Sequence, residues 1–279
     1  MTKRLNPQAM KTPFRFKIGR YILTAHGLLS YVFLYAPIII LIIFSFNASK
    51  FVTGRWHGFT LIWYQKLFVD EAIGAALRNS LYISLVATFV STIFGTMVSL
   101  AMERYNFWGK MPFDALLYLP IIIPDIAMAV MLLLFFVMVK IPLGKLTIII
   151  SHIAFDISFV AIVVRARLAQ FDSALEEAAQ DLYANNWKTF RYVTFPLLMP
   201  GILAGALLAF TLSLDDFVIT FFTAGPGSST LPLRIYSLVK LGVTPEINAL
   251  SAVMLLASFL LVVLSVWLQK GGDGKVDFM

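Results

Sequence analysis

Four aspartates stand inside long apolar stretches of this sequence: Asp125 in "LPIIIPDIAMAV", Asp156 in "SHIAFDISFV", and the neighbours Asp215 and Asp216 in "SLDDFVIT". An ionised carboxylate is costly in hydrocarbon, so such acids face a protein interior or a water-filled path, and they mark ligand, ion or gating sites. At ~3.6 residues per turn, adjacent residues point about 100° apart, so Asp215 and Asp216 are expected to do different work. Asp216 shares a stripe with Ser213, Thr220 and Thr223, which reads as a water-lined face. Asp215 shares its side with Leu212, Val218, Ile219 and Phe222, with Thr211 as a polar neighbour, which reads as a helix contact or an outer gate. His152 precedes Asp156 by four residues on one helix face, so the two can also satisfy each other. His26 and His57 form no metal-ligand spacing, and no cysteine occurs, so Cys-based metal sites and thiol chemistry are excluded. No G-x-x-x-x-G-K-[ST] phosphate loop exists; "PLGKLT" has Val139 at the first Gly position and Leu146 where Ser or Thr should follow the Lys. The chain is not expected to hydrolyse ATP.

The elements that must hold these acids are membrane helices. The chain is 59% hydrophobic and 13% charged, against roughly 45–50% and 25% in soluble domains. Six apolar stretches match the ~20 residues that cross a ~30 Å core: about 22–46, 80–102, 113–138, 146–164, 197–222 and 248–268. The fold class is therefore an all-α integral membrane protein with about six transmembrane helices and no outer-membrane barrel pattern. The N-terminal tail and the segments 103–112, 165–196 and 269–279 carry fourteen of the 22 Lys and Arg, which predicts both termini on the cytoplasmic side. Residues 1–21 read as a basic tail and 22–279 as one transmembrane domain. The net charge of +7 is a topology signal and gives no case for nucleic acid. Rising ~1.5 Å per residue, Asp125, Asp156 and Asp215 fall ~18, ~15 and ~21 Å into their spans, in one slab near the midplane.

Three smaller stretches carry expectations. Pro120 and Pro124 remove backbone donors in the third span, giving either a passive kink or a gate. Trp56, Trp63 and Tyr64, on a surface helix between the first two spans, suit an interfacial aromatic belt. "AGPGSSTLPLRIYSLVKLG" opens as a turn and predicts a short helix after Pro232.

The segment "FDSALEEAAQDLYANNWKTFRYVTFPLLMPG", residues 171–201, is polar, alanine-rich and flanked by spans. Ser173 and Glu176 have capping-box spacing, and Glu176 and Glu177 in the first turn suit the helix dipole. "ANN" offers a turn, a second short helix runs from about Trp187 to Tyr192, and Pro196 closes it. The result is a helix–turn–helix knob in the cytoplasm.

This knob resembles the Glu-Ala-Ala loop, E-A-A-x-x-x-G-x9-I-x-L-P, of permease subunits of binding-protein-dependent ABC importers. Glu177, Ala178 and Ala179 match the triplet, Val193 and Phe195 take the Ile and Leu places, and Pro196 matches the proline. Tyr183 stands where the family has Gly, so the inter-helix turn is expected to differ. With "LRNSLYISL", "SLDDFVIT" and "STLPLRIYSLVKLGVTPEINALSA", the chain is most similar to PotC-type permeases of spermidine/putrescine importers. The resemblance implies a type I ABC importer permease fold in the bacterial inner membrane, without enzymatic activity of its own. It implies a second PotB-type permease, a pair of PotA-type ATPase subunits binding ATP and Mg, and a periplasmic PotD-type receptor. It also implies coupling to the ATPase through a loop at about 169–196, with Glu176, Glu177, Ala178, Ala179, Tyr183 and Pro196.

A polyamine is a chain of ammonium groups joined by methylenes, and binding it needs spaced carboxylates with aromatic faces between them. The pathway residues expected are Asp216, Asp215, Asp125 and Asp156, with Tyr118, Phe155, Phe159 and Phe217. Any of these acids can instead pair with a helix of the second permease. Other solutes, such as thiamine or a cationic metal complex, are the alternative within the importer class. A secondary transporter or channel would account for the acids but not for the knob. An intramembrane aspartyl protease would need Tyr-Asp and Gly-x-Gly-Asp contexts, and neither occurs.

Overall fold

The protein is described by a computed structural model covering residues 14–49, 55–242 and 244–273. The far end of the basic tail, with Lys3, Arg4 and Lys11, and the last six residues lie outside the described residues. The long apolar elements are α1 (Phe14–Phe44), α3 (Glu71–Arg104), α6 (Lys145–Leu168), α9 (Phe195–Asp215) and α12 (Pro245–Asp273). Between them run α2 (Ile62–Val69), α4 (Lys110–Ile122), α5 (Asp125–Met138), α7 (Ala174–Asp181), α8 (Asn186–Thr189), α10 (Val218–Thr223) and α11 (Leu231–Leu241). No strand occurs among the described residues. Five helical stretches are long and apolar enough to cross a membrane, and α4 with α5 makes a sixth only as a pair bent by 111°.

That bend corrects the third predicted span, 113–138, which is two helices rather than one. The residue before a proline is pushed out of the helical region by the pyrrolidine ring. Ile123, ahead of Pro124, is extended at ψ 134°, and α5 starts afresh at Asp125. Pro120 lies inside α4 without ending it. The straight-helix depth assigned to Asp125 therefore does not apply.

The core is a trio of helices, α3, α6 and α9, wedged together through small residues. A Cβ on Gly95 of α3 would lie 2.7 Å from the Cβ of Val160 on α6, and one on Gly205 of α9 would lie 3.3 Å from the Cγ1 of the same valine. Val160 thus fills a slot between two glycines, the close backbone approach that membrane helices use where lipid gives no hydrophobic drive. Ser99 of α3 strengthens the contact by donating to the Ala161 carbonyl at 2.9 Å. Val164, Leu168, Leu198, Ile202 and Ala209 continue the apolar seam below it. By contrast, α1 buries none of its apolar window and packs mainly against α12 among the described residues.

At the end of the trio away from α7, polar side chains pin the loop before α11. Asn79 donates to the carbonyls of Gly227 and Ser229 at 3.1 and 2.9 Å, and Ser80 Oγ accepts the Leu231 N–H at 2.8 Å. Thr147 donates to the Thr223 carbonyl at 2.7 Å. The helix expected around Pro232 is α11, with the proline in its first turn, where a missing N–H is harmless. Trp63 departs from the aromatic-belt reading. It is buried, and its indole N–H donates to the Asn47 carbonyl at 2.8 Å. A buried indole needs a partner for its one donor, and Asn47 lies beyond the short helix that sequence spacing describes. Trp56 stays half exposed, and the Tyr64 hydroxyl pairs with Ser45 Oγ at 2.7 Å.

Candidate functional site

The polar centre of the trio forms where α9 stops. The chain leaves helical geometry at Asp216, ψ 127°, and α10 begins two residues later at Val218. Asp216 caps that new start. Its Oδ2 accepts the Thr220 N–H at 2.7 Å and the Thr220 hydroxyl at 2.8 Å, and Oδ1 takes a longer contact from the Ile219 N–H at 3.3 Å. Across on α6, the His152 ring spans the break. Nδ1 lies 2.6 Å from Ser213 Oγ, while Nε2 lies 3.2 Å from Asp216 Oδ2 and 3.1 Å from Thr220 Oγ1. His152, Ser213 and Thr220 are buried, and 17% of the Asp216 side chain remains open.

Two expectations are corrected by this arrangement. The predicted fifth span, 197–222, is not one helix, so its stripe does not continue as a helical face past Asp216. Thr220 still bonds Asp216 directly, and Ser213 is joined to it through the His152 ring, because α10 packs against α6 after the break. Thr223 turns away, its hydroxyl donating to the Ile219 carbonyl. The stripe faces the protein interior rather than water. His152 does not pair with Asp156 either. It is drawn across to α9, and both Asp156 oxygens are buried with no hydrogen-bond partner. Helical spacing put His152 next to Asp156; only the packing of α9 supplied the competing Ser213, Asp216 and Thr220.

The other candidate residues do not gather into one cleft around this centre. Asp215 is exposed and accepts the Ser258 hydroxyl of α12 at 3.2 and 3.3 Å. Asp125 opens α5 at the bend and is exposed, as is Tyr118 on α4. Phe155 and Phe159 flank Asp156 on α6 and touch each other, with ring centroids 4.8 Å apart. Phe217, beside Asp216, packs on Tyr236 of α11 at 4.6 Å. Lys240 sits over the same tyrosine ring at 4.7 Å. Sequence reasoning missed Tyr236 and the hub role of His152. A histidine inside an apolar run was a usable signal for the second, since a buried imidazole has two nitrogens to satisfy.

The knob is the other candidate site. Its first helix, α7, buries no side chain. The Ser173 capping box does not form; the Asp172 carboxylate accepts the Ala174 N–H at 3.0 Å instead. Glu176 is pulled elsewhere, accepting from the Arg104 guanidinium at the end of α3 and from the Thr194 hydroxyl. These two bonds tie α7 to the ends of α3 and α9. Glu177 and Ala178 face outward and Ala179 is half-buried. Leu182, Tyr183 and Trp187 add a largely exposed apolar tip.

Pro196 does not close the second knob helix. Residues 186–215 run as one continuous helical stretch, because a π-helical turn over Phe190–Thr194 precedes the proline. The Phe195 N–H reaches back five residues to the Phe190 carbonyl, and this wider turn accommodates the proline. Such π-turns recur at functional sites. Tyr183 itself takes the left-handed conformation, φ 62°, that the family's Gly takes freely. A non-glycine residue there costs on the order of 1–2 kcal/mol. Tyr183→Gly is therefore expected to stabilise the knob by about 1 kcal/mol, read as slower amide hydrogen exchange across 174–189. Unchanged or faster exchange would show that the tyrosine is not strained.

Residues 91–277 match the family described as binding-protein-dependent transport system inner membrane component. The spermidine/putrescine transport system permease protein PotC of Escherichia coli (strain K12) is 40% identical over 263 residues, 93% of this chain and 99% of that one. The putrescine transport system permease protein PotI of the same organism is 43% identical over 235 residues, 82% and 83% of the two chains. Among solved structures, a bacterial ABC transporter involved in the import of the acidic polysaccharide alginate superposes with a TM-score of 0.70. It covers 94% of this chain and 98% of its own at 17% identity, a likeness of fold.

Proposed function

The chain belongs to the family of binding-protein-dependent transport system inner membrane components, and we infer from that premise that it is a polyamine permease subunit of an ABC importer. The observation that carries the substrate class is 40–43% identity, over 82% or more of the chain, to permeases named for spermidine/putrescine and for putrescine. The fold is that of a type I ABC importer permease, and the chain is a multi-pass membrane protein with no catalytic role of its own.

Beyond that, we propose a division of labour along the chain. Both termini and the knob face the cytoplasm of a bacterial inner membrane, in keeping with the Lys and Arg bias. Energy comes from ATP and Mg held by a PotA-type ATPase pair, one copy of which seats α7 through Glu177, Ala178 and the apolar tip. A PotB-type permease completes the path, and a PotD-type receptor delivers substrate from the periplasm. A related alginate importer has been solved with its ligand-bound periplasmic protein, which supports an assembly of this kind. Asp216 is the principal contact for a passing ammonium group, since it is a partly open carboxylate at the end of a spanning helix beside the ring pair Phe217 and Tyr236. Tyr118, Phe155, Phe159, Asp125 and Asp215 are secondary contacts, whereas Asp156, expected on the path from the sequence, is fully buried and is not assigned a substrate contact.

Radiolabelled spermidine and putrescine uptake in cells lacking only this chain tests the reading. Uptake is expected to vanish and to return on complementation. Full uptake without the chain would refute it.

A further inference from the structure

One buried acid has nothing to bind. Asp156 has a relative exposure of 0%, and neither carboxyl oxygen has a hydrogen-bond partner. Buried polar groups in folded proteins almost always have partners, because an unpaired one pays the full desolvation penalty. An exception needs a state in which the group is used. Its neighbour on the same face of α6, His152, is fully engaged, but with α9 and α10. Side chains on a helix lean toward the N-terminus, so a residue at i+4 leans back over the one at i. The Asp156 carboxyl therefore leans toward the turn that carries the His152 ring.

The two acids thus compete for one imidazole. In the described state Asp216 holds it, helped by Ser213 and Thr220. Asp216 is also the acid with an open side: 17% of its side chain is exposed, and its Oδ1 has only the 3.3 Å contact from Ile219. An alkylammonium group arriving on that side would share the carboxylate with His152. Two donors on one acid weaken each other, and if the ring is charged the two cations repel strongly in a low-dielectric site.

We propose that His152 is a resident stand-in for the substrate ammonium: when a polyamine binds Asp216, the imidazole swings along α6 to the vacant carboxyl of Asp156. The inference rests on the polyamine reading above and deepens it. Asp156 is then a positioning residue that receives the displaced ring and never touches substrate. Each carboxyl has a partner in the bound state, whereas the free state leaves Asp156 without one. Occupancy of the site is thereby converted into a side-chain shift on α6, which packs against both α3 and α9.

The test uses the assembled transporter. The chain has three histidines, so a His26→Gln, His57→Gln background leaves His152 as its single imidazole for selective ¹⁵N labelling in this subunit. Saturating spermidine is expected to shift the ring nitrogen resonances, and Asp156→Asn is expected to remove that shift. Asp216→Asn without substrate should already show the shifted position. Asp156→Asn should lower spermidine uptake about tenfold, the scale of a lost hydrogen bond to a charged group, while the complex assembles at wild-type yield. A merely structural Asp156 predicts the reverse: the neutral isostere removes an unpaired carboxyl and keeps full uptake. Ring resonances that spermidine leaves in place, or wild-type uptake by Asp156→Asn, would overturn the exchange while leaving the polyamine reading intact. A wild-type complex that neither binds nor carries polyamines would remove both.

Discussion

A Glu177→Lys chain is expected to insert in the membrane and assemble, yet take up spermidine at least about a hundredfold more slowly, a loss of roughly 2.7 kcal/mol of coupling. Glu177 lies in the first turn of α7, faces outward, and its side chain makes no hydrogen bond or ion pair among the described residues. Its replacement leaves the Glu176 tie to Arg104 and Thr194 untouched. The internal cost is the dipole term at a helix start, about 0.3–1 kcal/mol, small against the stability of a folded domain. The damage therefore falls on whatever α7 docks against. A reversed charge at a protein–protein contact costs several kcal/mol through like-charge placement. Paired measurements of uptake and of ATPase co-purification decide it: uptake within twofold of wild type would end the coupling assignment.

The second large effect is at Asp216. Asp216→Asn should reduce polyamine uptake by about two orders of magnitude, because it removes the carboxylate charge that an ammonium needs and cuts charge-assisted bonds of ~1.5–3 kcal/mol each. An amide offers one acceptor oxygen where Oδ2 now serves the Thr220 N–H, the Thr220 hydroxyl and His152. Some loss of order at the start of α10 will accompany it. The amount of assembled complex must therefore be measured beside the transport rate. Asp215→Asn supplies the contrast. Its contacts to Ser258 are long and exposed, so its effect should be several-fold at most. If Asp216→Asn transports normally, or if Asp215→Asn is the more damaging of the two, the assignment of substrate contact to Asp216 fails.

Much of the fold was legible in residue order. Apolar runs located every spanning segment, because membrane insertion depends on composition over about 20 residues and little else. The breaks inside two of those runs were less legible. Pro124 announced one, since its ring acts on the residue before it. The break at Asp216 had no such herald; it exists because the carboxylate caps α10 while the histidine of another helix anchors it. The knob was readable as a helix–turn–helix, yet its ties were misjudged. Glu176 has capping-box spacing to Ser173, but a guanidinium from α3 and a hydroxyl from the π-turn compete better for a carboxylate than a backbone amide does.

By itself, then, the sequence determined the class of the protein, the number of apolar segments, the exposed helix–turn–helix knob and the set of acids worth attention. These are local properties, set by composition and by spacings of a few residues. Tertiary structure alone decided which acids have partners. His152 and Asp216 are 64 positions apart, and no helical period relates them. Their meeting depends on Val160 seating between Gly95 and Gly205, which sets the register of α6 against α9. That register leaves Asp216 held and Asp156 empty. Two acids that look alike as letters in an apolar run were separated by a packing contact about one turn from Asp156 and about three turns from Asp216.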